Sequence, residues 1–305
     1  MRILITTGLS KSDIGGPFQY AHNLAQEFEK AGHEVRVVKY GSIERSILGI
    51  WPHIIWADKI LALDTFSVGF ASTLAAKIIR KKVTIRVGGD FMWSAYVNRT
   101  GRPLTLPEFY KELPELNTKE KIIFRLNRWA IQNAHFLAFN TEWQKEIWRD
   151  FYKLSESKIG VVRNFIPGSQ VGTMSSGQNF LWAGRLIPEK NTEMLKRLGI
   201  EIVTGELHEK VLERIKNCYA VVSLAFTDIC PNFIIEGISS GKPFIMTKYT
   251  GLNELFPKSG IFVEPRNEEE IREAMRNLNK IQIEEIKSHS WGEMAEEYLN
   301  IWNKI

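Results

Sequence analysis

The amino-acid sequence predicts an α/β fold of two domains, each built around a parallel β-sheet. Apolar, strand-like runs alternate with helical patterns through the first half of the chain, the same alternation recurs in the second half, and a polar segment separates the halves. Such alternation is typical of parallel strands joined by helices that cover both faces of a sheet. We therefore expect residues 1–165 and 166–285 to form two similar domains facing a cleft. We expect residues 286–305 to form a terminal helix that packs back toward the first domain.

The first domain begins with a buried strand, Ile3–Thr6, whose apolar run ends at Gly8. A helix is predicted from Pro17 to Ala31, because apolar residues recur on one face, Pro17 suits a first turn and Gly32 suits a helix end. The other predicted strands are Val35–Val38, Ile60–Leu63, Val83–Val87, Phe136–Phe139 and Gly160–Val162. Helical patterns cover Phe66–Arg80, Lys119–Asn133 and Glu142–Lys153.

The second domain follows a candidate linker, Gly168–Asn179, which is rich in Gly, Ser, Thr and Gln. Its predicted strands are Phe180–Ala183, Ile200–Val203, Ala220–Leu224 and Phe244–Met246. Its predicted helices lie around Leu195 and over Glu206–Asn217, Asn232–Ser239, Glu268–Leu278 and Ile281–Ile305. In folds of this kind, ligands bind at the carboxyl ends of the strands.

The composition excludes several classes of protein. The chain has 305 residues, of which 44% are hydrophobic and 25% charged, so it is neither disordered, collagen-like nor a coiled coil as a whole. It has no apolar run long enough for a transmembrane helix, and the first apolar run is too short for a signal peptide. Cys218 and Cys230 form no C-x-x-C motif, so we expect neither a disulfide framework nor a structural zinc site. A reduced, cytoplasmic location is the expectation.

Positive charge is concentrated in the first domain. Residues 1–165 hold 24 Lys and Arg against 16 Asp and Glu, whereas residues 166–305 hold 16 against 19. The segment Lys119–Trp129 mixes cations with large apolar side chains, as helices at membrane surfaces do. We expect no nucleic-acid partner, and two alternatives stay open: peripheral association with the inner face of a membrane, or a helix packed on its own domain with solvated charges.

Three segments carry candidate chemistry, and Gly15-Gly16-Pro17 is the first. It ends the loop after the first strand and opens a helix, where glycines allow close backbone approach and free N–H groups suit phosphate. The spacing matches neither G-x-G-x-x-G nor a P-loop. A plain tight turn is the alternative.

The second segment, Gly184–Asn191, follows a predicted strand and reads G-R-L-I-P-E-K-N. Arg185 and Lys190 are two cations on one loop and suit a diphosphate, Arg as a fork and Lys as a point charge. The alternative is a solvated loop in which Glu189 pairs with Lys190.

The third segment, Asp228–Pro243, joins a strand to a helix that begins near Asn232. Asp228 lies in the loop and Glu236 lies about one turn into the helix, so both carboxylates are candidates for ligand hydroxyls. Apolar neighbours of Glu236 indicate that it is partly enclosed, and enclosed carboxylates need partners. A surface helix residue is the alternative.

Together these segments resemble the retaining glycosyltransferases of family 4. The resemblance covers nearly the whole chain in the expected order: Gly15-Gly16, the block Gly184–Asn191, two carboxylates eight residues apart, and a small-residue segment ending in Gly241-Lys242-Pro243. It implies the GT-B fold, in which two Rossmann-like domains face a cleft. The donor then sits mainly on the second domain and the acceptor on the first.

The resemblance also implies residue roles and a reaction. Arg185 and Lys190 bind the donor diphosphate, Glu236 binds the ribose and Asp228 meets the transferred sugar. Further donor-binding positions are Gly15, Gly16, Thr204, Gly205, Glu206, Leu207, Asn232 and Phe233. The implied reaction moves a hexose from a nucleotide diphosphate sugar to a hydroxyl of a glycan or lipid-linked glycan, with retention. Family members generally need no divalent metal, so we expect no cofactor and no metal ligands.

Two positions depart from the family pattern. Asp228 stands where the family usually has Glu, and Gly88-Gly89-Asp90 stands where many members carry a histidine. Asp90 is therefore a further candidate catalytic residue. Two rival functions remain: a sugar-nucleotide epimerase of the same fold, for which Asp90 is the marked acid/base candidate, and a sugar-nucleotide-binding module that lacks catalysis.

Overall fold

The structure, a computed structural model, describes residues 1–8, 16–40, 43–168, 177 and 179–304. The chain divides into two compact units. The first unit consists of Met1–Met92, Glu115–Asn164 and Ser290–Ile305, and the second of Trp93–Pro114 and Phe165–His289. Each unit contains a parallel sheet with helices between its strands, which confirms the predicted α/β fold with two parallel-sheet domains.

The strands of the first unit are β1 (Arg2–Thr7), β2 (Glu34–Lys39), β3 (Lys59–Ala62), β4 (Val83–Val87), β5 (Phe136–Phe139) and β6 (Ile159–Val161). Within the described residues they form one parallel sheet in the order β2-β1-β3-β4-β5-β6. All of β5 is buried, as is β1 after its first residue. This burial is expected of parallel strands covered on both faces, and it explains why these apolar runs identified the strands.

The helices of the described residues are α1 (Gly16–Lys30), α2 (Ile43–Gly49), α3 (Trp51–Trp56), α4 (Ser67–Ile78), α5 (Phe91–Thr100), α6 (Leu106–Lys111), α7 (Thr118–Asn133), α8 (Glu142–Tyr152), α9 (Thr192–Arg197), α10 (His208–Asn217), α11 (Asn232–Ser239), α12 (Glu268–Asn277) and α13 (Trp291–Lys304). A reciprocal capping box between Asn117 and Glu120 begins α7 and fixes its first turn. Helices α2, α3, α5 and α6 were not predicted, because α2, α3 and α6 are short and α5 mixes aromatic and polar residues without a continuous apolar face.

The last helix, α13, packs on the first unit. The hydroxyls of Tyr298 and Tyr20 are 2.9 Å apart, and the rings of Trp302 and Phe28 are 5.4 Å apart. The indole N–H of Trp302 donates to Oγ1 of Thr84 at 2.9 Å. The terminal helix is therefore part of the core of the first unit.

The strands of the second unit are β7 (Phe180–Ala183), β8 (Glu201–Val203), β9 (Ala220–Ser223), β10 (Phe244–Thr247) and β11 (Gly260–Val263). Among the described residues they form a parallel sheet in the order β11-β10-β9-β7-β8. Strand β11, a four-residue run that begins with Gly260, was not predicted. A Cβ at Gly260 would lie 2.4 Å from the ring of Phe244, so close packing against β10 requires glycine there.

Residues 93–114 correct the predicted domain boundary. They were predicted to lie in the first domain, but they group with the second unit and hold most of α5 and all of α6. The physical reason is a set of contacts within that unit. One example is the hydrogen bond of 2.8 Å from the backbone N–H of Leu106 to Oγ1 of Thr227.

The predicted helix Ile281–Ile305 is also shorter than expected. Residues 281–290 are not helical, because His289 forms an antiparallel bridge with Ile166 and Ser290 then caps the helix by accepting from the N–H of Glu293 at 3.1 Å. Most of the candidate linker Gly168–Asn179 lies outside the described residues.

Candidate functional site

The loop after β7 brings Lys190 next to Asp228. The Nζ atom of Lys190 lies 3.1 Å from Oδ2 of Asp228, and the hydroxyl of Ser223 donates to the same oxygen at 2.8 Å. The side chains of Lys190 and Asp228 are only 22% and 15% exposed. Because β7 and β9 are neighbouring strands, the loops that follow them meet at the carboxyl edge of the sheet, where ligands of open α/β sheets bind.

Arg185 is a second cation on the same loop. Its side chain is exposed, and the part of the chain that the structure describes offers its guanidinium no hydrogen bond or ion pair. The guanidinium of Arg185, five residues before Lys190, is therefore available to donate hydrogen bonds to an anionic ligand. Among the described residues, Lys190 of this loop therefore has a partner and Arg185 has none.

Glu189 is the buried residue of this loop that precedes Lys190. Its side chain is 6% exposed and accepts hydrogen bonds from the hydroxyl of Ser94 and from Nδ2 of Asn98, the latter at 2.9 Å. The alternative of a solvated Glu189–Lys190 pair is therefore wrong, since Lys190 instead pairs with Asp228. Ser94 and Asn98 were not among the predicted site residues. Their i,i+4 spacing on one helix was the available signal.

Glu236 lies on α11 and is held by a histidine. Its side chain is 21% exposed, and Oε1 lies 2.9 Å from Nε2 of His208, the first residue of α10. Burial raises the pKa of Glu236, and the hydrogen bond and charge of His208 oppose that rise. The prediction of a partly enclosed carboxylate is confirmed, whereas its partner His208 belonged to no motif and was missed.

The start of α11 provides backbone donors. Asn232 and Phe233 are its first residues, and Pro231 before them offers no side-chain cap. The N–H groups of the first turn are therefore available to an anion. Gly237 fixes this helix against the sheet, because a Cβ there would lie 2.4 Å from the side chain of Val221 on β9.

In the segment after β8, the carboxyl of Glu206 is already bound by a neighbouring side chain, although it was predicted to contact the donor. Glu206 accepts two hydrogen bonds from Arg214, at 2.8 and 2.7 Å, and these lower the pKa of its carboxyl. Gly205 adopts a positive φ of 71°, which favours glycine and turns the chain toward α10. Thr204 and Leu207 remain exposed at this turn.

Asp90 belongs to the first unit, immediately before α5. Its buried carboxylate accepts a hydrogen bond from the indole N–H of Trp148 at 2.9 Å. The carbonyls of Gly88 and Gly89 accept from Asn140 and Gln144 at 3.2 and 3.1 Å, so this turn is fixed by neighbouring side chains. Gly16 begins α1 in the same unit, and Gly15 lies outside the described residues.

Two family models match the chain. Residues 14–169 match the model described as Glycosyltransferase Family 4, and residues 174–280 match the model described as Glycosyl transferases group 1. The first match alone spans just over half of the chain. The chain belongs to glycosyltransferase family 4. It is accordingly an enzyme that transfers glycosyl groups.

Solved structures show the fold of this glycosyltransferase. Sucrose-phosphate synthase from Thermosynechococcus elongatus aligns with a TM-score of 0.70 at 11% identity, over 98% of this chain and 94% of that chain. The lipopolysaccharide outer core galactosyltransferase WaaB in its apo form aligns with a TM-score of 0.63 at 14% identity, over all of both chains. A UDP-GlcNAc 2-epimerase from Methanocaldococcus jannaschii aligns with a TM-score of 0.60 at 13% identity, also over all of both chains. No curated protein sequence matches the chain. At such low identities the likeness establishes the GT-B fold alone.

Two further observations concern the described residues of the glycosyltransferase. They contain no group of three or more His, Cys, Asp or Glu side chains arranged to hold a metal ion, and metal-free transfer stays a prediction. None of their helices is both long and apolar enough to cross a membrane.

Proposed function

We propose that this glycosyltransferase moves a hexose from a nucleotide diphosphate sugar to a hydroxyl of a glycan or lipid-linked glycan. Transfer proceeds with retention at the anomeric carbon and without a divalent metal. The observation that carries the proposal is the pairing of Lys190 with Asp228 at the carboxyl edge of the second sheet, on a loop that also carries Arg185, whose guanidinium has no partner among the described residues.

The cations act on the leaving group. As the bond from the sugar to the diphosphate breaks, negative charge grows on the phosphate oxygens. Arg185, Lys190 and the N–H groups at the start of α11 are donors already in place for that charge. The acceptor oxygen bonds to the anomeric carbon on the same face, and its proton passes to the departing phosphate oxygen. No carboxylate nucleophile is needed for this sequence of steps.

Each of the two carboxylates keeps an oxygen for the donor. Both hydrogen bonds described for the carboxylate of Asp228 go to Oδ2, so Oδ1 is left for a sugar hydroxyl. In Glu236 the described contact of His208 is with Oε1, so Oε2 is left for the ribose. A carboxylate that accepts from a hydroxyl is well suited to a sugar, since each oxygen has two acceptor sites.

A donor screen followed by product analysis tests this function. Thermal shifts are measured with UDP-, GDP- and ADP-sugars, because a ligand that binds only the folded protein raises its melting temperature. UDP-glucose is the first donor to test, since solved structures of this fold hold UDP-2-fluoro glucose or UDP. Mass spectrometry and anomeric NMR of the products in the presence of EDTA then identify transfer and its stereochemistry. A new sugar-nucleotide epimer formed without acceptor would instead establish an epimerase, and binding without any turnover a binding module.

We further propose that the first unit associates with anionic membrane surfaces through α7. Lys119, Lys121, Arg125 and Arg128 are exposed on this helix, and Ile122 between them is 54% exposed. Phe124 instead packs against Phe151 and Tyr152, so the helix also has an apolar face toward its own unit. The exposed cations support electrostatic attraction to anionic lipids, and Ile122 supports shallow insertion.

A further inference from the structure

One segment of the second unit holds the residues that immediately precede Lys190 and Asp228. Glu189, before Lys190, is bound by Ser94 and Asn98 of α5. Thr227, before Asp228, accepts from the backbone N–H of Leu106, at the start of α6. Most of α5 and all of α6 lie in Trp93–Pro114, which we call the clamp segment. One stretch of chain therefore contacts the residue before each member of the charged pair.

The contact between Asn98 and Glu189 is reciprocal. Nδ2 of Asn98 donates to the carboxylate of Glu189 at 2.9 Å, and Oδ1 of Asn98 accepts from the backbone N–H of Glu189 at 3.0 Å. Asn98 thus fixes both the side chain and the backbone of the residue before Lys190. The orientation of the amide is set by these two bonds, because only one assignment of oxygen and nitrogen satisfies both.

The buried carboxylate of Glu189 depends on these neutral donors. Within the described residues no Lys, Arg or His forms an ion pair with it, and it is almost completely buried. A buried charge without a counter-ion requires hydrogen bonds of good geometry, so the position of Glu189 is closely determined by Ser94 and Asn98.

The turn that presents Lys190 needs such outside support. Pro188–Lys190 is a single turn of 3₁₀-helix, a geometry of low intrinsic stability. Besides Asn98, the turn is tied by the N–H of Phe226, which donates to the carbonyl of Glu189 at 3.0 Å. Movement of Glu189 would carry the adjacent Lys190 away from Asp228.

The other end of the clamp segment is fixed as well. Thr105 and Glu108 form a capping box at the start of α6, and Arg266 donates to both carboxylate oxygens of Glu108 at 3.0 Å. The N–H of Leu106 that reaches Thr227 lies in this first turn, where helix N–H groups have no intrahelical partner. The clamp segment is therefore anchored independently of the site it supports.

We propose that Asn98 is a positioning residue of the donor site, which acts through Glu189 to place Lys190 against the leaving diphosphate. The proposal rests on the proposed function for the nature of the ligand. Its chemical content is specific: the amide of Asn98 donates to a carboxylate, and that polarity, rather than the bulk of the side chain, sets the position of Lys190.

Replacing the hydrogen-bond donor of Asn98 by an acceptor tests the proposal. Asn98→Asp places two carboxylates face to face, and we expect kcat per folded molecule to fall on the order of 10- to 100-fold, with KM for the donor less affected. The double variant Asn98→Asp/Glu189→Gln restores a donor and an acceptor with exchanged roles and recovers most of kcat.

Asn279→Asp makes the same change at an exposed position of the second unit and serves as the control. If Asn98→Asp fails to fold, Ser94→Ala removes a single donor to Glu189, and a smaller fall of kcat at an unchanged KM is expected. The proposal would be overturned if Asn98→Asp kept the kcat and KM of the wild type. The same holds for Ser94→Ala where Asn98→Asp does not fold. A double variant whose kcat is no higher than that of Asn98→Asp would also overturn it. These outcomes leave the proposed function standing, since that function is judged separately by transfer in the wild type. A wild type without transfer from any donor tested would overturn both.

Discussion

Lys190 and Asp228 form an ion pair of 3.1 Å across 38 positions of sequence. The pair joins the loop after β7 to the loop after β9, and it leaves Arg185 as the cation without a partner among the described residues. In the absence of donor, Asp228 therefore balances the charge that a diphosphate would otherwise neutralise. On the proposed function, donor binding exchanges one anionic partner of Lys190 for another.

Glu236→Gln is expected to weaken donor binding and to stabilise the empty protein. An amide keeps the shape but loses a charged acceptor for the ribose, so KM for the donor should rise roughly tenfold. Burial raises the pKa of Glu236 above its value in the unfolded chain, so its contribution to stability is present at low pH and is lost as pH rises through the folded pKa. The ionised group therefore costs stability at neutral pH.

Thermal melts at pH 7.5 and in mild acid measure this second effect. We expect a higher melting temperature for Glu236→Gln at pH 7.5 and a smaller advantage in acid. Glu209→Gln, an exposed change on the neighbouring helix, is the control. A lower melting temperature for Glu236→Gln at pH 7.5 together with an unchanged KM would contradict both expectations.

His208→Ala is expected to shift the pH dependence of donor use. The hydrogen bond and charge of His208 oppose the rise in the pKa of Glu236, so loss of the imidazole raises that pKa further. The acid limb of kcat/KM for the donor should then move to higher pH, with recovery in alkaline solution. Profiles of wild type and His208→Ala measure this, with His22→Ala in the first unit as the control. Superimposable profiles would show that His208 does not tune Glu236.

Substitutions at Asp90 separate a structural role from a role in transfer. Asp90→Ala leaves the buried indole N–H of Trp148 without its acceptor, which should cost about 1–3 kcal/mol of unfolding free energy. Asp90→Asn keeps an acceptor, so we expect it to lose turnover with a smaller loss of stability. Trp148→Phe removes the same hydrogen bond and keeps the carboxylate, so stability should fall more than turnover. Urea unfolding measures the stability of these variants, and steady-state assays measure their turnover. Full turnover in Asp90→Asn would show that the carboxylate of Asp90 has no role in transfer.

The membrane proposal predicts binding that depends on lipid charge. Co-sedimentation at low salt should be stronger with vesicles that contain phosphatidylglycerol than with pure phosphatidylcholine, and added salt should weaken it. Lys121→Glu combined with Arg125→Glu should abolish the difference, whereas Lys216→Glu on the second unit should not. Equal binding to both kinds of vesicle would eliminate the proposal.

Local patterns in the sequence predict the two sheets and the motifs of the site. Buried parallel strands such as β5 are continuous apolar runs, so composition alone locates them. Gly184–Asn191 and Asp228–Pro243 are contiguous, and their residue types and spacing fit the binding of phosphate and sugar hydroxyls. The elements missed, such as α2 and β11, are short pieces whose structure depends on packing against the rest of the fold.

The sequence does not predict hydrogen-bond partners that lie far apart along the chain. Asn98 and Glu189 are 91 positions apart, and His208 and Glu236 are 28 apart. No local pattern indicates which polar residue a buried carboxylate will find across such separations. For the same reason residues 93–114 were predicted in the first domain, although their hydrogen bonds to Glu189 and Thr227 place them in the second unit.

The central claim is that positive charge on the loop after β7 stabilises the departing diphosphate without a metal ion. Steady-state transfer in EDTA, compared between wild type, Arg185→Ala, Lys190→Ala and the exposed control Lys216→Ala, tests it most directly. We expect wild type and Lys216→Ala to be fully active, and each of the other two variants to lose about a hundredfold in turnover, since each removes one donor to the charge of the transition state. Undiminished turnover in Arg185→Ala and Lys190→Ala, or complete inhibition of wild type by EDTA that magnesium reverses, would contradict the account.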